Sequence, residues 1–282
     1  MSAPRAVEPT TTTLPNFVVI GAMRSGSTSL YKYLQAHPAV FMPRKEIHFF
    51  DRRWDRGIDW YRSRFDGYAG QPAVGEATPT YLADPVAIDR MAETIPGARL
   101  LAILRDPAER AYSHYWMERA RDRELRTFEQ AVADELDGRT RDDRSDYLAR
   151  GRYLPQLESV ARRFPRDHLE VVLFDDLRDR PEATYGDVCR FLGVDDDYVP
   201  PVLGERVNRF VAFRSMKVRG LRRRLPTTFR IGRIVGRLNA VEGGYPPMAA
   251  ATRADLRRHF AADNDALGAW LGRDLSGWME PG

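Results

Sequence analysis

Gly21 to Thr28 reads GAMRSGST and follows the apolar run NFVVI. The spacing is that of a phosphate-cradling loop, G-x-x-x-x-G-K-[ST], except that Ser27 stands where the lysine belongs. Backbone N–H groups of such a turn, with the N-terminus of the helix that follows, form an anion site. Ser25, Ser27, Thr28 and Ser29 add hydroxyl donors around Gly26, and Arg24 puts a fixed positive charge inside the loop. A nucleoside triphosphatase needs the loop lysine for its β- and γ-phosphates and a carboxylate for its metal. This sequence offers neither at the expected places, because Asp106 is better used as a helix cap. The loop therefore suits a ligand presenting a single phosphate, with no metal.

Two further groupings carry chemistry. LRDPAERAYSHY puts Arg105 at the end of an apolar run and Ser113 eight residues on. A guanidinium and a hydroxyl at the carboxyl end of a strand suit a second phosphate. PRKEIHFFD carries Glu46 and His48 at i and i+2, which in an extended segment share one face. Either could take a proton from a hydroxyl acceptor, and an imidazole titrates closest to neutrality.

The elements that would position these groups alternate strand and helix. Residues 16–21 read as a buried strand and STSLYKYLQAHP as the helix after the loop. ARLLAILRDPAERAYSHYWMERA repeats the unit, with its strand reaching Arg105, Asp106 as N-cap and Pro107 at the first helical position. HLEVVLFDDL followed by RPEATYGDVCRFLGV is a third, with Gly193 as C-cap. Helices are expected over 84–96, 127–139 and 153–164, with a last long one in ATRADLRRHFAADNDALGAWLGRDL. This alternation predicts an α/β fold with a central, mainly parallel sheet flanked by helices in three layers.

Composition fits a globular chain of 282 residues with 43% hydrophobic and 30% charged residues. Residues 1–15 are expected to be a disordered lead-in and 16–282 one domain. The single cysteine, Cys189, excludes an intrachain disulfide or a multi-cysteine metal site and reads as a core thiol. No apolar run approaches a membrane span, and the N-terminus has no signal-like core, so a cytoplasmic location is expected. The net charge of +4 hides nine Lys/Arg and no acid between Arg214 and Arg237, which leaves 4 − 9 = −5 for the remainder. The region 200–248, rich in Pro, Gly and Arg, reads as an irregular basic excursion covering a ligand.

Taken in order, GAMRSGSTSL, HPAVFMPRKEIHFFD, GEATPTYL, LRDPAERAYSHY and RGRYLPQLESVARRF resemble the sulfotransferases that use 3′-phosphoadenosine 5′-phosphosulfate (PAPS), above all the heparan-sulfate-type and bacterial enzymes. The similarity runs from about residue 16 to 194, with a family-like tail from Tyr245. It implies the P-loop-like fold and in-line transfer of a sulfuryl group to a hydroxyl of a carbohydrate, glycolipid or small metabolite. It implies that Arg24 through Ser29 hold the 5′-phosphosulfate and that Arg105 and Ser113 hold the 3′-phosphate. It makes Glu46 the base, with His48 positioning the acceptor or tuning Glu46, and Arg24 the cation at the leaving group. GEATPTYL resembles the segment flanking the acceptor cleft and so nominates Glu76 and Tyr81. Relatives acting on glycosaminoglycans commonly carry lysine where this chain has Ala77. The loop NRFVAFRSMKVRG is expected to cover the adenine, with Arg214 as its contact.

Two rival readings make different demands. A P-loop small-molecule kinase needs ATP and Mg²⁺ and the lysine and metal carboxylate that are missing. A non-enzymatic protein binding nucleic acid or an anionic membrane through 214–237 would be indifferent to Glu46 and strongly salt-dependent. Aromatic residues are sparse in that stretch, so no nucleic-acid partner is expected.

Overall fold

Five consecutive buried residues, Phe17–Gly21, make β1, and its side chains divide by the two-residue period of a strand. Val18 and Ile20 enter one apolar core, and Phe17 and Val19 enter another. The same division recurs in β4 (Arg99–Leu104), where Leu100, Ala102 and Leu104 face the first core and Leu101 and Ile103 the second. A strand buried on both faces belongs inside a parallel sheet covered by helices, and that is what forms. The computed structural model describes residues 13–139, 145–205, 211–213, 240–242 and 244–279.

The sheet contains β1, β2 (Val40–Phe41), β3 (Ala73–Ala77), β4 and β5 (Leu169–Leu173), ordered β2-β3-β1-β4-β5, with every pairing parallel. Helices α1 (Ser27–Gln35) and α9 (Pro181–Leu192) cover one face. Helices α4 (Pro85–Thr94) and α7 (Tyr153–Ala161) cover the other, with an aromatic cluster from α2 (Phe49–Arg52) and α3 (Ile58–Arg62). A third core joins α5 (Pro107–Ala120), α6 (Phe128–Leu136) and the long α10 (Ala250–Leu271). Besides short single-turn helices, the described residues also form α8 (Phe174–Asp179) and an antiparallel pair, β6 (Val211–Phe213) with β7 (Ala240–Glu242).

The caps hold where the sequence places them. The Asp106 carboxylate accepts from the N–H groups of Ala108 and Glu109, with Pro107 opening α5, and Gly193 closes α9 at φ 74°. Helices expected over 84–96, 127–139 and 153–164 end two or three residues earlier. Strand β3 was not legible in the pattern, since Ala, Gly and Glu are poor strand formers. It forms because its neighbours demand it: Gly75 pairs with Phe17, and a Cβ there would fall 2.1 Å from the Phe17 ring. Cys189 is fully buried in the second core, as expected. Arg214 and the basic stretch to Arg237 lie outside the described residues.

Candidate functional site

The sheet order reverses at β1: the chain passes through β2 and β3 on one side of it and through β4 and β5 on the other. Ligands of open α/β sheets bind at the carboxyl ends of strands at such a point. The Gly21–Thr28 loop leaves β1 there and runs into α1, with Gly26 as the left-handed N-cap at φ 99°. A Cβ on Gly26 would meet the Phe174 ring at 2.8 Å, so both conformation and space require glycine. Ser25 is fully buried, and its hydroxyl has no well-aligned hydrogen-bond partner among the described residues.

Two cations flank this loop, and only one of them belongs to it. Arg24, itself at φ 73°, donates from Nε to Ser113 Oγ at 3.0 Å, which joins the loop to the second motif. Burial lowers the Arg24 pKa; Arg105 and Arg121 nearby lower it further, while Tyr245 opposes them. Lys45 arrives from beyond β2, and its Nζ donates to Thr28 Oγ1 at 2.6 Å and Ser27 Oγ at 3.2 Å. Its pKa is lowered by burial and by Arg24, against the pull of Glu46. Arg105 faces Glu109 at 3.7 Å and lies over the Phe174 ring at 5.0 Å. Its charge is felt by Arg24, while the Ser113 hydroxyl accepts from Arg24.

Glu46 and His48 do come together, though not through an extended segment. Both have left-handed backbones, φ 64° and 57°, in a turn pinned by the Glu46 N–H to the Ala77 carbonyl at 2.9 Å. Phe49 and Phe50, fully buried in the aromatic cluster, hold the turn from behind; Phe49 stacks on Tyr61 at 4.3 Å. The half-exposed Glu46 carboxylate stands 3.8 Å from Lys45 Nζ and 4.0 Å from His48 Nε2. His48 Nδ1 lies 2.9 Å from Asp51, which also accepts from Thr80 Oγ1 at 2.8 Å. With a carboxylate on that side, Nδ1 carries the proton and Nε2 is turned to Glu46. Burial would raise the Asp51 pKa, but the bonds from His48 and Thr80 outweigh it and the pKa is lowered.

Glu76 and Tyr81 correct the sequence expectation. Both are completely buried, and Glu76 accepts from the hydroxyls of Tyr61 at 2.7 Å, Thr78 at 3.1 Å and Tyr81 at 3.3 Å. They brace this side of the sheet from inside the core: Glu76 is carried inward by β3 and Tyr81 by the short turn Tyr81–Ala83 that follows it. Burial pushes the Glu76 pKa to about 7 against those three donors. Sequence reasoning missed Lys45 and Asp51. Both lie inside the quoted PRKEIHFFD, but only the fold brings Lys45 to the loop and Asp51 to the far side of His48. A cavity of about 490 Å³, lined among others by Glu135, Arg152, Gln156 and His259, includes none of the loop or base residues.

This arrangement places the chain in the class of α/β proteins built around a phosphate loop, here with a titratable cluster opposite the loop. Residues 14–223, about three quarters of the chain, match the sulfotransferase domain, and the chain belongs to that family of enzymes. It is 40% identical to the membrane-associated sulfotransferase kil1 of Dictyostelium discoideum over 44% of this chain and 28% of that protein. It is 30% identical to human heparan sulfate glucosamine 3-O-sulfotransferase 3B1 over 64% of this chain and 46% of that protein. The chain thus spans less than half the length of either relative. A solved sulfotransferase from Alicyclobacillus acidocaldarius superposes with a TM-score of 0.74 at 29% identity, covering 95% of this chain and all of that one. Among the described residues no helix is long and apolar enough to cross a membrane.

Proposed function

We propose that the protein transfers a sulfuryl group from PAPS to a hydroxyl of a carbohydrate-like or small-molecule acceptor. The observation that carries this reading is the unbroken line of polar groups from Ser113 through Arg24 and the loop to Lys45, Glu46, His48 and Asp51. One end is cationic and rich in hydroxyls, which suits a bisphosphorylated nucleotide, and the other carries the half-exposed Glu46 carboxylate. The glycine-only approach at Gly26, with the buried Ser25 hydroxyl beside it, fits an anion seated on the loop.

The donor would supply an activated sulfuryl group on its 5′-phosphate. The loop amides, Ser27, Thr28 and Arg24 would hold that phosphate, and Arg105 and Ser113 the 3′-phosphate. Glu46 would accept the proton of the acceptor hydroxyl, with His48, oriented by Asp51, beside it. Catalysis then rests on positioning and on fixed positive charge where negative charge develops on the leaving phosphate. The match to a relative named for heparan sulfate glucosamine supports a sugar acceptor. Ala77, fully buried in the second core where relatives acting on glycosaminoglycans commonly carry lysine, offers no charge to an acceptor, which favours one carrying few anionic groups.

A thermal-shift comparison tests the donor. Adenosine 3′,5′-bisphosphate should stabilise the protein without Mg²⁺ and well beyond ATP, whereas an ATP·Mg²⁺ preference would point to a kinase. Product mass spectrometry with PAPS and a panel of hydroxyl compounds then identifies the acceptor by the sulfate increment. Glu46→Gln should lower turnover by a factor of about 100 or more while keeping the nucleotide shift.

A further inference from the structure

We infer that Lys45 is a second cation at the loop, delivered from the segment that carries Glu46, and that it holds the transferred sulfuryl group between donor and acceptor. This rests on the donor reading above and assigns one residue within it. The phosphate-loop template places a lysine at position 27, where this chain has serine, so the loop's own sequence leaves that charge unfilled. Arg24, the loop's own cation, is tied through Nε to Ser113. Lys45 Nζ brings a charge to these residues from outside the loop, donating to Ser27 Oγ at 3.2 Å and to Thr28 Oγ1 at 2.6 Å.

The fold holds Lys45 there by its backbone. Tyr31 of α1 donates its hydroxyl to the Pro43 carbonyl at 2.7 Å, and the Glu46 N–H binds the Ala77 carbonyl, so the segment is tied to the loop helix and to β3 on either side of Lys45. The Lys45 side chain is only 15% exposed, and the acid beside it is the half-exposed Glu46 at 3.8 Å. A largely buried ammonium that spends two donors on neutral hydroxyls has its third, now turned to the half-exposed Glu46, to offer an incoming anion.

The chemistry needs a cation at that place. In the transfer, the bond between sulfur and the bridging phosphate oxygen breaks, and that oxygen keeps the electron pair. The acceptor oxygen bonds sulfur as its proton passes to Glu46. Lys45 lies between the loop and Glu46, so its ammonium would contact sulfuryl oxygens during the passage, and it forms no covalent bond. An arginine fixed on Ser113 and a lysine on Ser27 and Thr28 divide the site: one serves the nucleotide phosphates, the other the moving group.

Binding of PAPS and of adenosine 3′,5′-bisphosphate, which lacks only the sulfuryl group, separates this role from simple phosphate clamping and needs no acceptor. By calorimetry, Lys45→Met should weaken PAPS at least tenfold and the bisphosphate less than threefold, and Lys45→Arg should recover part of the loss. Equal weakening of both ligands, or no weakening of either, overturns the assignment. Unchanged binding of the bisphosphate by Lys45→Met also shows that the variant is folded; if it does not fold, Lys45→Arg and Lys45→Gln provide the same ratio. Binding of neither nucleotide by the wild-type protein overturns the donor reading itself and this inference with it.

Discussion

Arg24 ends on Ser113, 89 residues away, while Lys45 ends on Ser27 and Thr28, 18 and 17 residues away. Arginine keeps its charge under all conditions and delivers it through a rigid fork, which suits a standing contact to a serine and a phosphate. Lysine is a compact point charge on a flexible stem and can follow a moving group. On the acceptor side, Asp51 fixes the imidazole whose Nε2 is turned to Glu46. Asp51→Asn keeps the shape but lets an amide donate to Nδ1, which moves the ring proton to the side of Glu46. Turnover should fall on the order of tenfold to a hundredfold with nucleotide binding unchanged. Equal turnover in the two proteins would remove His48 orientation from the mechanism.

Elements decide what the residues can reach. The loop is legible in the sequence because glycine spacing after a buried strand is a local signal, and α1 follows from it. Its tightness is not, since it comes from Phe174 at the start of α8 pressing on Gly26. Gly26→Ala meets both a left-handed backbone and that ring, so it should destabilise the protein by about 1–3 kcal/mol and abolish the shift with adenosine 3′,5′-bisphosphate. Urea unfolding measures the first and thermal shift the second; a variant as stable as wild type that still binds would show the loop can open away from Phe174. The Glu46–His48 turn shows the reverse case. Alternation in an extended strand predicts a shared face, yet the two side chains meet through two left-handed residues pinned to Ala77 and backed by Phe49 and Phe50.

At the scale of the molecule, the wall behind the site carries a titration of its own. Glu76, pushed to about 7 from an ordinary 4.5 by burial, binds a proton in the folded state that the unfolded chain has released. Its pKa is raised on folding, so stability falls as pH rises through the window from about 4.5 to about 7, by roughly 1.4 kcal/mol per unit. Glu76→Gln carries no such proton. The melting temperature of the variant relative to wild type should therefore rise between pH 5 and pH 8. A difference independent of pH would mean that Glu76 does not hold the proton.

The sequence by itself determined the alternation of strands and helices, the phosphate loop, the caps of α5 and α9, and the proximity of Glu46 to His48, because each is written in residues a few positions apart. Tertiary structure alone decided that β3 is a strand, that Glu76 and Tyr81 face the core, that Arg24 belongs to Ser113, and that Lys45 enters the loop from outside it. Those outcomes depend on which strand lies beside which. Parallel crossovers bring residues many positions apart to one sheet edge, and no local pattern records that meeting.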